Sequence, residues 1–191
     1  MDDIVLRAMA RWPDVPAVYG WLSLDRRGRF LIKGETIANR AAREFIARNY
    51  AADAQGRWYF QNGPQRVFVQ LDYTPFVLRL EADGRFTDHC AKPWGPVAGV
   101  CMDETGAVLL AGPAGVGLLD DRDLDAFSQR LRGRRDARLD DDALSARLDA
   151  LAGGAAAPLC VTLADGVFAL APVRRAEVPA RFGFQAEPAA D

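Results

Sequence analysis

A chain of 191 residues, half of them apolar, can build its own core without disulfides or a structural metal. Its 24 basic and 26 acidic residues leave a net charge of -2, which gives no long-range field to draw in nucleic acid or an anionic membrane, so both are disfavoured as partners. Asp2 and Asp3 stand where an export leader carries basic residues, no apolar run approaches the roughly 18 residues of a membrane span, and the three widely spaced cysteines, Cys90, Cys101 and Cys160, suit reduced thiols; together these features predict a cytoplasmic protein.

In chain order, the first readable element is a strand over Val18 to Leu24, followed by a turn at Asp25-Arg26-Arg27-Gly28 and a second strand around Phe30 and Ile32. Between Thr36 and Ala52, Ile37, Ala41, Phe45 and Ala42, Ile46, Tyr50 recur at spacing four, which predicts a helix capped by Thr36 or Asn39 with one apolar face for the sheet. Asp53-Ala54-Gln55-Gly56 then joins that helix to an aromatic strand, Trp58-Tyr59-Phe60, and Asn62-Gly63-Pro64-Gln65 turns it into Arg66 to Val69. Pro75 marks a strand end.

The same aspartate and glycine device returns at Asp83-Gly84, at Asp103 to Gly106 and at Asp165-Gly166, each between short apolar runs. Repeated hairpins of this kind describe a meandering antiparallel sheet, because parallel neighbours need a crossover. Asp120 or Asp121 opens a helix with Leu124, Phe127 and Leu131 on one side, and Asp140 to Asp142 open another with Leu144, Leu148 and Leu151, ended by Gly153-Gly154. Gly133 to Arg138 connects the two. After Ala171, short apolar words alternate with Pro172 and Pro179, and the end of the chain reads as a loose tail.

These elements predict an α+β fold: a curled antiparallel sheet packed on one helix, followed by a helical hairpin and a final strand pair. The expected division is 1–119, sheet plus helix, and 120–191, helical hairpin plus strands, packed on the first.

Chemistry-bearing residues are sparse. The densest cluster runs from Trp58 to Pro75, where Asn62, Gln65 and Arg66 offer amide and guanidinium donors to a carboxylate or phosphate, with Trp58 and Tyr59 as flanking planes. The plainer reading of the same letters is a hairpin tip. His89 is the one histidine, adjacent to Cys90, and neighbours on a strand point to opposite faces, so the pair does not read as a metal site; paired ligands at zinc spacing are absent and no metal is expected. No serine sits in a nucleophile elbow, and the clustered aspartates read as helix caps, so no catalytic residue is assigned. Gly112-Pro113-Ala114-Gly115-Val116-Gly117 lacks the following lysine and Ser/Thr of a phosphate loop and reads as a turn between strands, leaving no cofactor implied. The arginines at 130, 132, 134, 135 and 138 form the one local basic patch, largely cancelled by Asp136 and Asp140 to Asp142.

Several words taken together carry a resemblance: G-W-L-S-L-D-R-R-G (20–28), K-G-E-x-I (33–37), R-N-Y (48–50), G-R-W-Y-F-Q-N-G-P-Q-R-V (56–67), Y-T-P (73–75), G-L-L-D-D-R-D-L (117–124) and F-G-F (182–184). Over nearly the whole chain they resemble a proteobacterial family of uncharacterised proteins. The order of elements is also similar to a second uncharacterised bacterial family of small β-roll-like α+β domains, a likeness of fold alone. Arginine makes up the basic residues apart from Lys33 and Lys92, which looks like the usage of a GC-rich bacterial genome. The resemblance implies a bacterial cytoplasm and brings no catalytic residue, cofactor or partner. The leading functional expectation is a non-catalytic binding or adaptor module for a protein partner. The alternative is a small anionic ligand-binding protein, or an enzyme, with a site around Asn62, Arg66 and His89.

Overall fold

Turn chemistry sets the strand lengths. In the computed structural model, which describes residues 1–12, 15–133, 135 and 137–190, most of the aspartate and glycine pairs close a hairpin within a few residues. The chain separates into two compact units, one comprising Met1–Pro75, His89–Ala91 and the segment from Gly183, the other Phe76–Asp88 and Lys92–Phe182. The boundary read from the sequence at 119/120 falls inside the second of these. Each unit is built on its own sheet, and the fold is α+β.

The first unit opens with a helix, α1 (Asp3–Arg11), that the sequence reading did not anticipate; Val5 is its buried residue. Six strands follow: β1 (Val18–Leu24), β2 (Phe30–Ile32), β3 (Glu35–Thr36), β4 (Tyr50–Ala52), β5 (Trp58–Asn62) and β6 (Gln65–Leu71), with α2 (Arg40–Arg48) between β3 and β4. Their order across the sheet is β3-β2-β1-β6-β5-β4. The expected helix from Thr36 to Ala52 is therefore trimmed at both ends. Lys33 and Gly34 both have positive φ and turn Ile32 back against Glu35, which makes Thr36 a strand residue. At the other end Tyr50, Ala51 and Ala52 pair with Phe60, Tyr59 and Trp58, so Asp53 to Gly56 closes a hairpin and does not join helix to strand. The N-cap is Asn39, whose side chain accepts from the Ala42 N–H at 3.0 Å.

In the second unit the strands are β7 (Phe76–Leu80), β8 (Phe86–Asp88), β9 (Gly99–Met102), β10 (Val108–Gly112), β11 (Gly115–Leu119), β12 (Leu131–Arg132), β13 (Cys160–Leu163) and β14 (Gly166–Pro172). They form one sheet in the order β12-β13-β14-β9-β10-β11-β7-β8, curled as a half-barrel. Three helices accompany it: α3 (Leu124–Ser128), α4 (Asp141–Ala152) and α5 (Val178–Phe182). Leu78, Leu109, Leu110, Val116 and Val161 are fully buried and mark its core.

Two expectations are corrected. Both sheets are mixed, since β1 pairs parallel to β6, β7 to β11 and β9 to β14. The connection from β7 to β11 runs through β8, β9 and β10 with no helix, and the other two connections contain strands as well as helices, so local turn signals alone do not exclude parallel neighbours. No helical hairpin is evident among the described residues: Leu131, read as helical, pairs with Val161 in β12 and β13, and a strand thus separates α3 from α4. Of the connection between them, Arg134 and Asp136 lie outside the described residues. The C-terminal stretch ahead of the expected tail, which begins at Glu187, is anchored. Val178 is fully buried in the second unit, while in the first Phe184 is buried and the Ala186 carbonyl accepts from the Leu71 N–H at 2.8 Å; Asp191 lies outside the described residues.

Candidate functional site

The six residues singled out from the sequence share one hairpin and one turn, and period-two alternation sends them to different places. Along β5 and β6 the register pairs Asn62 with Gln65, Gln61 with Arg66, Phe60 with Val67 and Tyr59 with Phe68. Trp58, Phe60, Asn62, Gln65 and Val67 therefore share one face, and Tyr59 and Arg66 the other. Arg66 lies over the Tyr59 ring at 4.9 Å on that second face, where Phe68 also stacks on Tyr19 at 4.6 Å.

On the first face Asn62 and Gln65 border a hollow of about 440 Å³ whose remaining lining, including Trp21, Leu22, Ile32, Ile46 and Phe60, is apolar. The β1 register shifts between Val18 and Leu22, at a bulge around Gly20 with φ +72°. Trp21 and Ile32, at 51% and 48% exposure, leave much of the hollow's rim apolar and open.

His89 belongs to a separate site. It follows β8 in a turn with Cys90, and in a turn neighbouring side chains need not diverge as they do on a strand. Both residues line one cleft of about 690 Å³, together with Gly28, Arg29 and Phe30 from the start of β2 and Arg40, Arg43, Glu44 and Arg48 from α2. This corrects the expectation that His89 and Cys90 face apart. Cys90 Sγ lies 3.6 Å from His89 Nε2. The imidazole is held by ring contacts to Phe30 at 5.3 Å and Tyr50 at 5.5 Å, and Trp58 reaches the same cluster through Tyr50 at 4.8 Å. Trp58 and His89 are thus brought together, whereas Asn62 and Gln65 stand in the apolar hollow and Tyr59 and Arg66 on the opposite face.

The sequence reading passed over the arginines. Arg40, Glu44 and Arg48 at spacing four, with Arg43, lie along one stripe of α2, legible as R-x-x-R-E-x-x-x-R once attention leaves the apolar face. Arg40 Nε donates to Glu44 Oε1 at 2.6 Å, and this hydrogen bond with the attraction of the Arg40 charge holds the Glu44 carboxyl below the usual carboxylate range. Arg29 pairs with Asp25 at 2.6 Å, and Arg48 reaches Asp2 at 3.3 Å. Arg43 donates through Nη1 to the carbonyls of Ile37 at 3.0 Å and Ala38 at 2.7 Å. Among the lining residues, four guanidiniums face one carboxylate.

No group of three or more His, Cys, Asp or Glu side chains placed to hold a metal ion occurs among the described residues, and no helix there is long and apolar enough to cross a membrane. Cys101 is buried, and burial pushes its thiol up. The six-residue glycine run spans the turn between β10 and β11, Gly112 pairing with Gly115; Gly112 lies against the Trp94 side chain and Gly117 against that of Leu78, both buried in the second unit, while a Cβ at Gly115 would meet nothing within 4 Å.

Among solved structures the chain is similar to a DUF1285 family protein from Silicibacter pomeroyi DSS-3, with a TM-score of 0.52 at 17% identity over 91% of this chain and 97% of that one, which shows a shared fold. A DUF1285 family protein from Shewanella baltica OS155 matches with a TM-score of 0.38 at 11% identity, over 56% of this chain and 88% of that one. No curated protein matches. A family model described as "Protein of unknown function (DUF2946)" matches residues 1–189, and the chain belongs to that family.

Proposed function

We propose that the chain is a small-ligand-binding protein and that its site, the cleft beside α2, takes an anion. The observation that carries the reading is the gathering of Arg29, Arg40, Arg43 and Arg48 with His89 around one cavity. Its volume of about 690 Å³ lies in the range of small-molecule sites, roughly 300–1,000 Å³. Guanidinium forks match carboxylate and phosphate oxygens in geometry as well as charge, and Arg43 donates through Nη1 to two carbonyls while Glu44 accepts its hydrogen bond from Arg40. The net charge of -2 makes this a local recognition device and not the edge of a broad basic surface.

Isothermal titration calorimetry with inorganic phosphate, pyrophosphate and citrate tests it. Binding weakens as salt is raised, and Arg43→Ala weakens it by roughly tenfold, corresponding to about 1.4 kcal/mol for one solvent-screened charge pair. Absence of heat from all three anions, or an Arg43→Ala protein that binds as tightly as the wild type, refutes the reading.

A second reading, a non-catalytic adaptor for a protein partner, is favoured by one observation: Trp21 and Ile32 stand exposed on the rim of the apolar hollow, with the Lys33 ammonium 3.9 Å from the Trp21 ring centroid. Exposed apolar side chains around a concavity suit a docked segment. Trp21→Ala abolishing co-purification of a partner while leaving anion binding intact separates the two.

A further inference from the structure

We propose that Cys90 is a reactive thiol, activated by His89 and directed by the arginines of the cleft to small anionic disulfides. The proposal rests on the reading of the cleft as an anion site and adds to it a reaction and a substrate class.

The thiolate is the nucleophilic form of cysteine, and it is favoured by a neighbouring imidazole and by nearby cations. Cys90 has both: His89 Nε2 at 3.6 Å, and the guanidiniums of Arg29, Arg40, Arg43 and Arg48 lining the same cavity. Glu44 also lines the cavity and is engaged by Arg40, and Tyr50, against the His89 ring, donates its hydroxyl to the Pro75 carbonyl at 3.0 Å. The imidazole cannot turn freely between Phe30 and Tyr50, which fixes where its nitrogen points. Ala91, the next residue, has φ +59°, a left-handed conformation uncommon for a residue with a Cβ, and this shapes the turn that brings both side chains to one side. Cys90 is partly exposed, whereas Cys101 is buried. Cys160 is also partly exposed but sits on β13 in the second unit, is not among the residues lining this cleft, and serves as an internal control.

Disulfide exchange is the reaction that needs least beyond these groups. Acyl transfer asks for an oxyanion pocket and phosphoryl transfer for an acid on the leaving group, whereas exchange asks for a thiolate, a base and access. His89 Nε2 takes the Cys90 proton. The thiolate then attacks one sulfur of the incoming disulfide, the new Sγ–S bond forms as the old S–S bond breaks, and the departing thiolate leaves with the electron pair and collects the proton from His89. Cys90 is oxidised to a mixed disulfide and half of the incoming disulfide is reduced to thiol, so the disulfide itself is the oxidant.

The test is the rate at which glutathione disulfide, which is anionic, and cystamine, which is cationic, modify the intact chain, followed by mass spectrometry with the site assigned by peptide mapping. An ordinary thiol is a few per cent ionised at neutral pH, and the lower nucleophilicity of a weaker base takes back part of what fuller ionisation adds. The expected result is that Cys90 reacts with glutathione disulfide about tenfold faster than Cys160 does, prefers it over cystamine, and loses that preference in high salt. His89→Gln brings the Cys90 rate down to that of Cys160; the discrimination between the two disulfides is measured on the wild-type chain and needs no variant to fold. Equal rates at Cys90 and Cys160 overturn the proposal. If phosphate binds by calorimetry while Cys90 stays inert, the thiol chemistry falls and the anion site stands. If phosphate does not bind and Cys90 reacts equally with both disulfides, the anion site falls, and the directed reaction falls with it.

Discussion

Gly117→Ala tests whether the glycine run between β10 and β11 is kept for packing. A Cβ at this position would stand 2.5 Å from Leu78 Cγ, 2.7 Å from Cδ1 and 2.9 Å from Cδ2, all closer than real carbon contacts allow. Leu78 is fully buried on the neighbouring parallel strand β7, two register positions away, where Gly117 pairs with Phe76 and Leu119 with Leu78, so it cannot swing outward. Overpacking of this kind costs about 1–3 kcal/mol, and an alanine in a strand recovers about 0.5–1 kcal/mol of backbone entropy, so the net loss is about 1–2 kcal/mol. For a chain of this length that lowers the thermal midpoint by about 2–8 °C. Gly99→Ala is the matched control on β9 of the same sheet: nothing lies within 4 Å of its Cβ, and the substitution is expected to be neutral or slightly stabilising. Urea denaturation followed by circular dichroism gives both values, and Leu78→Ala, which by itself costs about 2–5 kcal/mol, should combine with Gly117→Ala to a loss smaller than the sum of the two. A Gly117→Ala protein as stable as Gly99→Ala would refute the packing argument and reopen the question of what these glycines are for.

Two further outcomes follow from charges and caps. Asp120 is buried and accepts from Arg122 N and Nε at 3.0 and 2.8 Å; burial pushes its carboxyl up, but these hydrogen bonds and the Arg122 charge outweigh burial and hold it below the usual range. A carboxyl depressed on folding contributes stability that is complete above its unfolded value of 3.8 and lost as pH falls through the lower folded value. Urea midpoints of the wild type should therefore drop on acidification below about pH 4, whereas Asp120→Asn, less stable at neutral pH by about 1–3 kcal/mol, should show a flatter acid limb; parallel limbs would contradict this. Asn39→Ala removes the cap from α2 and should cost about 1 kcal/mol of stability, and because α2 carries Arg40, Arg43, Glu44 and Arg48, phosphate affinity should fall with it; unchanged stability by urea titration would show that the cap is dispensable.

Much of the fold was legible because short-range chemistry specifies turns and caps. β1 was read residue for residue, the hairpin from Trp58 to Val69 was read with its turn, and Asp140 caps α4 through the Ala143 N–H as its position before an apolar period implied. Where two local signals competed, the reading failed. Tyr50 fits a spacing-four helical stripe and also begins a β-branched-poor but aromatic pairing with Phe60, and the partner strand decided. Leu131 likewise continues a helical period yet pairs with Val161, which lies thirty residues away by number. The short amphipathic helix α1 buries Val5 alone, an apolar stripe too narrow to stand out in the sequence.

By itself, then, the amino-acid order determined the class of the fold and most hairpin turns, since turns and caps depend on residues within a few positions of one another, and it carried a likeness to uncharacterised proteobacterial proteins. Tertiary structure alone decided the parallel pairings and the composition of the cleft. Arg29 arrives on a hairpin, Arg40 to Arg48 on a helix, and His89 with Cys90 in a turn after β8, and the separation of these segments along the chain hides any shared pattern. Alternation along β5 and β6 conversely parted Arg66 from Asn62 although only Gly63, Pro64 and Gln65 stand between them in sequence. Proximity in sequence is a guide to chemistry only where the backbone keeps neighbours on one side, and a strand does not.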